Sequence, residues 1–183
     1  FPLQSMLFSS FEGGEPVQVT KAPLDVNAFQ LSPDGKSLLF AAEVFPNCEA
    51  DTLACTEKRL AEAAKKKATG KLYDQLLVRH WDTWKDGRRS PLFVTPVAGG
   101  PAKDLMPKLD ADAPVKPFGG SEQFTWSPDG KTVVFTARDV GREEAWSTNF
   151  DLFGVPAAGS SAPRKRPSSP AWDGVPRFSP AGK

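Results

Sequence analysis

Histidine and cysteine are scarce in this chain, and that scarcity excludes much of the chemistry a domain of its size can host. His80 is the sole histidine among 183 residues, and Cys48 and Cys55 are the two cysteines. A zinc site of the Cys/His type needs four such ligands, so no metal site is expected. No G-x-S-x-G nucleophile elbow occurs anywhere, so no catalytic residue is assigned. Nothing in the chain calls for a cofactor. No apolar run approaches the ~20 residues needed to cross a bilayer, so no membrane span is expected. Neither charge sign is in excess, with 23 Lys+Arg against 22 Asp+Glu, which removes the electrostatic reason to expect nucleic acid or an anionic membrane as partner.

What the chain does contain is aromatic and interrupted. Thirteen Phe and five Trp supply a packed core, and 18 Pro with 15 Gly break the chain often, as many short strands joined by tight turns require. Phe1 is not an initiator Met and no basic-then-apolar leader follows it, so the start reads as processed or trimmed. The far end, Phe178-Ser179-Pro180-Ala181-Gly182-Lys183, stops inside a strand-turn-strand unit; the chain is read as a fragment of a larger one. Cys48 and Cys55, seven positions apart, could close a small disulfide loop in an oxidising compartment or stand as two thiols in a reducing one.

Internal repetition decides the fold class. Phe29-Gln30-Leu31-Ser32-Pro33-Asp34-Gly35-Lys36-Ser37-Leu38-Leu39-Phe40 recurs as Phe124-Thr125-Trp126-Ser127-Pro128-Asp129-Gly130-Lys131-Thr132-Val133-Val134-Phe135, and a third start appears at Arg177-Phe178-Ser179-Pro180-Ala181-Gly182-Lys183. Each copy is an apolar strand, a turn and a second apolar strand. Pro presets φ, Asp bonds back to the local backbone, and Gly accepts positive φ. A second element alternates with the first: Leu7-Phe8 through Gly14, Leu92-Phe93 through Gly100, and Leu152-Phe153 through Gly159 each read as an outer strand turning at Gly. The later two turns start at Ser127 and Ser179, 52 positions apart, near the ~40–50 residues of a propeller blade. The first gap is longer by roughly 45 residues relative to that period. The extra residues include Thr56 to Ala68, rich in Ala and charge, with Thr56 placed to cap a helix, Glu62 and Lys66 at i,i+4, and Gly70 to end it.

The expected architecture is therefore all-β: a partial β-propeller of four-stranded antiparallel blades with one helical insertion. Residues 1–27 would end one blade, 28–109 would form a blade carrying the insertion at 46–73, 120–166 would form the next, and 172–183 would begin another. A partial ring leaves open sheet edges, so the remaining blades are expected elsewhere in the parent protein.

These hairpins, the Phe45-Pro46-Asn47-Cys48 segment, the helical insertion, Val78-Arg79-His80-Trp81-Asp82-Thr83-Trp84, Ala145-Trp146-Ser147-Thr148-Asn149-Phe150-Asp151 and Pro170-Ala171-Trp172-Asp173 resemble the prolyl oligopeptidase family. Its bacterial dipeptidyl-peptidase and acylaminoacyl-peptidase-like branch is the nearest match. The resemblance implies an N-terminal propeller joined to a C-terminal α/β-hydrolase domain that holds a Ser-Asp-His triad and is absent from this chain. It also implies a peptide substrate and a periplasmic or secreted location. Two departures stand out: Ala181 replaces the turn Asp of the third copy, and Arg164-Lys165-Arg166 is unusually basic for a crossover between blades.

Four residues are candidates for substrate contact. His80 and Asp82, two apart on an expected strand, would share a face with Trp84 and line a channel, or serve as packing partners within a blade. Glu143 and Glu144 are similar to the propeller carboxylates with which dipeptidyl peptidases of this family hold the substrate's free amine. Their alternative is ion pairing with Arg138 or Arg142. Trp126, Trp146 and Trp172 are expected in the core. Two functions follow: the propeller portion of a serine exopeptidase, gating and orienting peptide for the hydrolase domain, or a non-catalytic TolB-like periplasmic propeller acting as a protein-binding platform.

Overall fold

The computed structural model of the chain describes residues 7–8, 13–18, 22–48, 51–167, 169–179 and 181–182. Two four-stranded antiparallel sheets dominate it. The first runs β3 (Val26–Leu31), β4 (Ser37–Ala42), β7 (Leu92–Pro96) and β8 (Lys103–Asp104) in spatial order. The second runs β9 (Phe124–Trp126), β10 (Thr132–Ala137), β11 (Asp151–Pro156) and β12 (Arg164–Lys165). Both are simple meanders with the same connectivity. Two small pairs accompany them: β1 (Leu7–Phe8) with β2 (Val17–Gln18), and β5 (Arg79–His80) with β6 (Thr83–Trp84). One α-helix, α1 (Thr52–Ala64), is present among the described residues. Of 1–27, residues 1–6, 9–12 and 19–21 lie outside the described residues.

The repeated turns match bond for bond. Ser32 Oγ donates to Asp34 Oδ1 (2.7 Å), Lys36 N donates to the same oxygen (3.1 Å), and Ser37 N donates to Ser32 Oγ (2.9 Å). Ser127, Asp129, Lys131 and Thr132 repeat the pattern at 2.6, 3.0 and 2.9 Å. Gly35 and Gly130 both adopt φ of 69°, a left-handed conformation that side chains disfavour. These bonds to the ionised form hold the Asp34 and Asp129 carboxyls below the usual range, the serine hydroxyl contributing most. The third copy keeps the backbone bond of the turn: Gly182 N donates to Ser179 O (2.9 Å), while Ala181 has no carboxylate to offer. No strand forms among the described residues around it.

Strand side chains alternate between the two faces of a sheet, and in the first sheet both faces are covered. Leu39, Ala41 and Leu92 of that sheet pack against Phe124, Trp126, Val133, Phe135, Phe153 and Val155 of the second. The opposite face of the first sheet, Leu38, Phe40, Ala42 and Phe93, is covered by Leu24, by Leu53 of α1 and, at the margin, by Leu60. Phe40 and Phe135 occupy the same place in the repeat, yet one faces away from the sheet–sheet seam and the other into it. The two sheets therefore stack head to tail, the phenylalanine face of the second on the back of the first.

The insertion differs in detail from the sequence expectation. α1 begins four residues earlier than Thr56, and Asp51 caps it by accepting from Ala54 N (3.1 Å). Thr56 is instead fully buried, its Oγ1 accepting from Phe45 N (2.9 Å). The helix stops at Lys65, so Lys66 lies past the end and has no helical register with Glu62. Ala-rich propensity alone could not locate this start; the buried tie to Phe45 and the disulfide between Cys48 and Cys55 set it. Two of the three expected core tryptophans are exposed, Trp146 and Trp172, because each sits in a connection rather than a strand; Trp126, in β9, is buried.

Meander topology sorts the connections by length. The Ser-Pro-Asp-Gly turns and the short β7–β8 and β11–β12 links lie at one end of the sheets. The long connections, 43–91, 105–123 and 138–150, gather at the other.

Candidate functional site

All four candidate residues lie on the long-connection end. Arg89 organises it. The residue enters β7 beside Val44, with reciprocal backbone bonds of 2.7 and 2.8 Å, and its guanidinium is largely buried. Nε donates to Asp110 Oδ1 (2.8 Å), Nη1 to Asp112 Oδ2 (3.1 Å) and Glu144 Oε1 (2.9 Å), and Nη2 to Glu144 Oε2 (3.1 Å). Asp112 is itself buried and accepts from Ser90 N (2.8 Å). Lys85 Nζ adds a second cation on Glu144 Oε2 (3.2 Å), and Arg138 Nη2 stands 3.6 Å from Oε1. Arg138 also donates to Ser147 O (2.8 Å) and lies over the Phe150 ring.

Charges in this cluster balance. Lys85, Arg89 and Arg138 face Asp110, Asp112 and Glu144. Burial by itself would raise the Glu144 carboxyl, but the Arg89 hydrogen bonds and the Arg89 and Lys85 charges override it and hold the group at about 2. Burial opposes the charged form of Arg89, but its hydrogen bonds to Glu144 and Asp110 and the Asp112 and Glu144 charges override this and raise its pKa above the ordinary value. Glu144 is thus a permanent carboxylate, fully engaged by protein cations.

Glu143 differs from its neighbour. Both sit on a short 3-10 turn, Gly141–Ala145. At ~3.0 residues per turn, adjacent side chains diverge by about 120°. Glu144 points into the cluster, while Glu143 is exposed and forms no ion pair among the described residues. The Glu143 backbone is nonetheless fixed: its N donates to Val140 O (3.1 Å), and its O accepts from Trp146 N and Ser147 N (2.9 Å each).

His80 and Asp82 do not share a strand face, contrary to the expectation from spacing. The chain reverses at Trp81 and Asp82, with Trp81 at φ 49°, so His80 closes β5 and pairs with Thr83 across the hairpin. Asp82 is exposed at the turn. Burial and the neighbouring Lys85 charge lower the His80 pKa from its ordinary value, against an opposite pull from Glu144, so the imidazole is neutral at pH 7. Aromatics surround this hairpin: Trp81 meets Phe118 edge-on at 5.0 Å, and Trp84 stacks on Tyr73 at 6.0 Å. Arg89, Lys85, Asp110 and Asp112 carry no local signal in the sequence. A run such as Lys85-Asp86-Gly87-Arg88-Arg89 reads as a solvated turn, and nothing in it marks Arg89 as the buried member.

No protein-family model matches the chain. Among curated proteins, dipeptidyl-peptidase 5 of Porphyromonas gingivalis is 30% identical over 162 residues, which is 86% of this chain and 22% of the relative. The chain is similar to dipeptidyl-peptidases. Dipeptidyl-peptidase 5 of Porphyromonas endodontalis is 28% identical over 177 residues, covering 94% of this chain and 24% of that protein. Dipeptidyl-peptidase 4 of Giardia intestinalis is 30% identical over 155 residues, covering 74% and 20%. The chain thus spans about a fifth to a quarter of the length of these dipeptidyl-peptidase relatives.

Proposed function

We propose that the chain is the propeller portion of a serine exopeptidase of the dipeptidyl-peptidase type. Its long-connection end gates and orients the N-terminus of a peptide for an α/β-hydrolase domain elsewhere in the parent protein. The observation that carries this reading is the head-to-tail stacking of two meanders with identical connectivity. A contact between unlike faces does not satisfy itself in a pair: it leaves one face of each kind for a further sheet to cover, the arrangement that successive blades of a propeller use. Similarity to dipeptidyl-peptidases over most of the chain supplies the activity class. The carboxylate-bearing turn Gly141–Ala145 supplies a group suited to a substrate ammonium. The disulfide between Cys48 and Cys55 supports a periplasmic or secreted location, where such bonds persist.

The test is enzymological and uses the full-length protein. Release of p-nitroaniline from dipeptidyl p-nitroanilides with a free N-terminus, abolished by N-acetylation of the substrate and by a fluorophosphonate that labels the protein at one serine, is the expected result. A full-length protein that neither cleaves such substrates nor takes up the fluorophosphonate would overturn the peptidase reading and leave a binding platform in its place.

A further inference from the structure

We propose that the groove between the first two Ser-Pro-Asp-Gly turns binds a basic peptide segment, holding one cationic side chain between two carboxylates and one backbone carbonyl on an indole. The groove lies at the opposite end of the sheets from the Arg89 cluster, so the proposal does not depend on the peptidase reading.

The two turns stand side by side: Pro33 Cδ lies 3.8 Å from where a Cβ on Gly130 would sit. Between them and the ends of β7 and β11 opens a cavity of about 600 Å³. Pro33, Pro128, Val94 and Ala157 give it apolar walls, exposed Asp34 and Asp129 stand at its mouth, and buried Trp126 forms its floor. Each turn engages only Oδ1 of its aspartate, through a serine hydroxyl and a lysine backbone N–H. Neither carboxylate forms an ion pair among the described residues. Lys103 also lines the groove, but its Nζ donates to Ala158 O. Two charged oxygens at the mouth are thus left for an incoming cation, and the walls suit the aliphatic stem of a lysine or arginine.

Trp126 supplies the second half of the site. It is 7% exposed, and its Nε1 has no acceptor. The corresponding positions of the other two copies hold Leu31 and Phe178, so packing at this point of the repeat needs no donor. A buried N–H without an acceptor destabilises a fold relative to an apolar side chain of similar shape. An acceptor that arrives with a ligand accounts for the indole, and a peptide carbonyl is such an acceptor. The neighbouring groove, between the second and third turns, provides the contrast. Asp129 faces Ala181 there instead of a second acid, Phe178 takes the place of the indole, and Arg166 lines the cavity with positive charge. Of the two grooves, only the first combines paired carboxylates with a donor at its floor.

The deciding experiment uses the full-length protein with ¹⁵N-labelled tryptophan and two probes, acetyl-Gly-Arg-Gly-amide and acetyl-Gly-Gln-Gly-amide. Their blocked N-termini keep them from any site that reads a free amine. The arginine peptide is expected to bind saturably with Kd below about 1 mM and to shift the Trp126 indole N–H resonance, assigned by its loss in Trp126→Phe. The glutamine peptide should leave that resonance in place. Asp34→Asn with Asp129→Asn keeps an Oδ1 acceptor in each turn and should weaken binding about tenfold. Trp126→Phe, which copies the third repeat, should weaken it severalfold. Thermal midpoints of the variants confirm that they fold. If Trp126→Phe does not fold, the paired asparagine variant and the indole resonances of the unmodified protein decide. No saturable shift of an indole resonance with the arginine peptide, an equal response to the glutamine peptide, or undiminished affinity in the paired asparagine variant would each overturn the proposal.

Discussion

Phe135 stacks on Phe153 with ring centroids 5.7 Å apart and planes at 16°, directly across the β10–β11 pair. Phe40 and Phe93 repeat the contact across β4 and β7 at 5.5 Å and 23°. The repeat thus reproduces a packing unit as well as a turn. Its environment differs between the copies: the second pair sits in the seam between sheets, the first under α1. Phe135 is completely buried, so Phe135→Ala removes the ring from the largest cluster and leaves a cavity between sheets. A loss of about 3–5 kcal/mol is expected in denaturant unfolding. A loss below about 1 kcal/mol would mean that the sheets do not depend on this seam.

The repeated turn offers a more local check. Gly130 holds φ at 69°, and the nearest atom that a Cβ there would meet is Pro33 Cδ at 3.8 Å. An alanine makes no clash, so its cost is conformational, about 1–2 kcal/mol for an L residue forced left-handed. Gly70 has open space and no positive φ, so Gly70→Ala is expected to be neutral or slightly stabilising. Thermal unfolding of the two variants separates backbone strain from loss of glycine as such; equal midpoints would refute the turn argument.

These turns are the most legible part of the chain. Ser, Pro, Asp and Gly each act within five residues, so the hairpins, the outer strands and the four-stranded order can be read from spacing alone. Legibility fails where a residue's state depends on distant partners. Thr56 reads as a helix cap by composition, but its hydroxyl is claimed by Phe45. His80 and Asp82 read as one strand, but the chain turns between them. Arg89 is indistinguishable from Arg88 in sequence; one meets Asp112 and Glu144 inside the fold, whereas the other pairs with Glu43 and Asp86 nearer the surface. Of the adjacent acids, only the tertiary cluster tells which is bound and which is free.

His80 gives a clean spectroscopic readout because it is the chain's only histidine. Its pKa is lowered first by burial and then by the Lys85 charge, with Glu144 pulling the other way. Its imidazole resonances in NMR should therefore titrate below 6.5, the ordinary value. Lys85→Met should move the midpoint up, since it removes a like charge while Glu144 stays. A midpoint above 6.5 in the unmodified protein would mean that Glu144 outweighs burial, and that the ion cluster is looser than its distances imply.

The disulfide between Cys48 and Cys55 ties the exit of the first sheet to the first turn of α1. Closing so short a loop limits the unfolded chain by about 2–3 kcal/mol in the chain-entropy account. Reduction is expected to add about 2 Da to the denatured mass and to speed amide exchange in α1 while β10 and β11 stay protected, because their core does not include the helix. Equal exchange in α1 before and after reduction would show that Leu53 and the Thr56 tie suffice to hold the helix.

Glu144 sets the acid limit of the fold. Its carboxyl is held at about 2 against a reference of 4.5, so the folded state binds its proton less readily than the unfolded chain does. The associated stability is fully present above about 4.5 and disappears as pH falls toward 2. The groups that face it are Arg89, Lys85 and Arg138, with His80 nearby; the three basic side chains remain charged throughout that window, whereas His80, lowered from its ordinary value, takes up a proton within the measured range, so the part of the decline that Glu144→Gln removes is the carboxyl's own. Urea unfolding measured from about pH 6 down to about pH 2.5 should show a decline that Glu144→Gln flattens. The variant should also be less stable at the upper end of that range, because Arg89 keeps Asp110 and Asp112 but loses its bidentate partner. A parallel decline in both proteins would place the acid sensitivity elsewhere and remove Glu144 as the anchor of its loop.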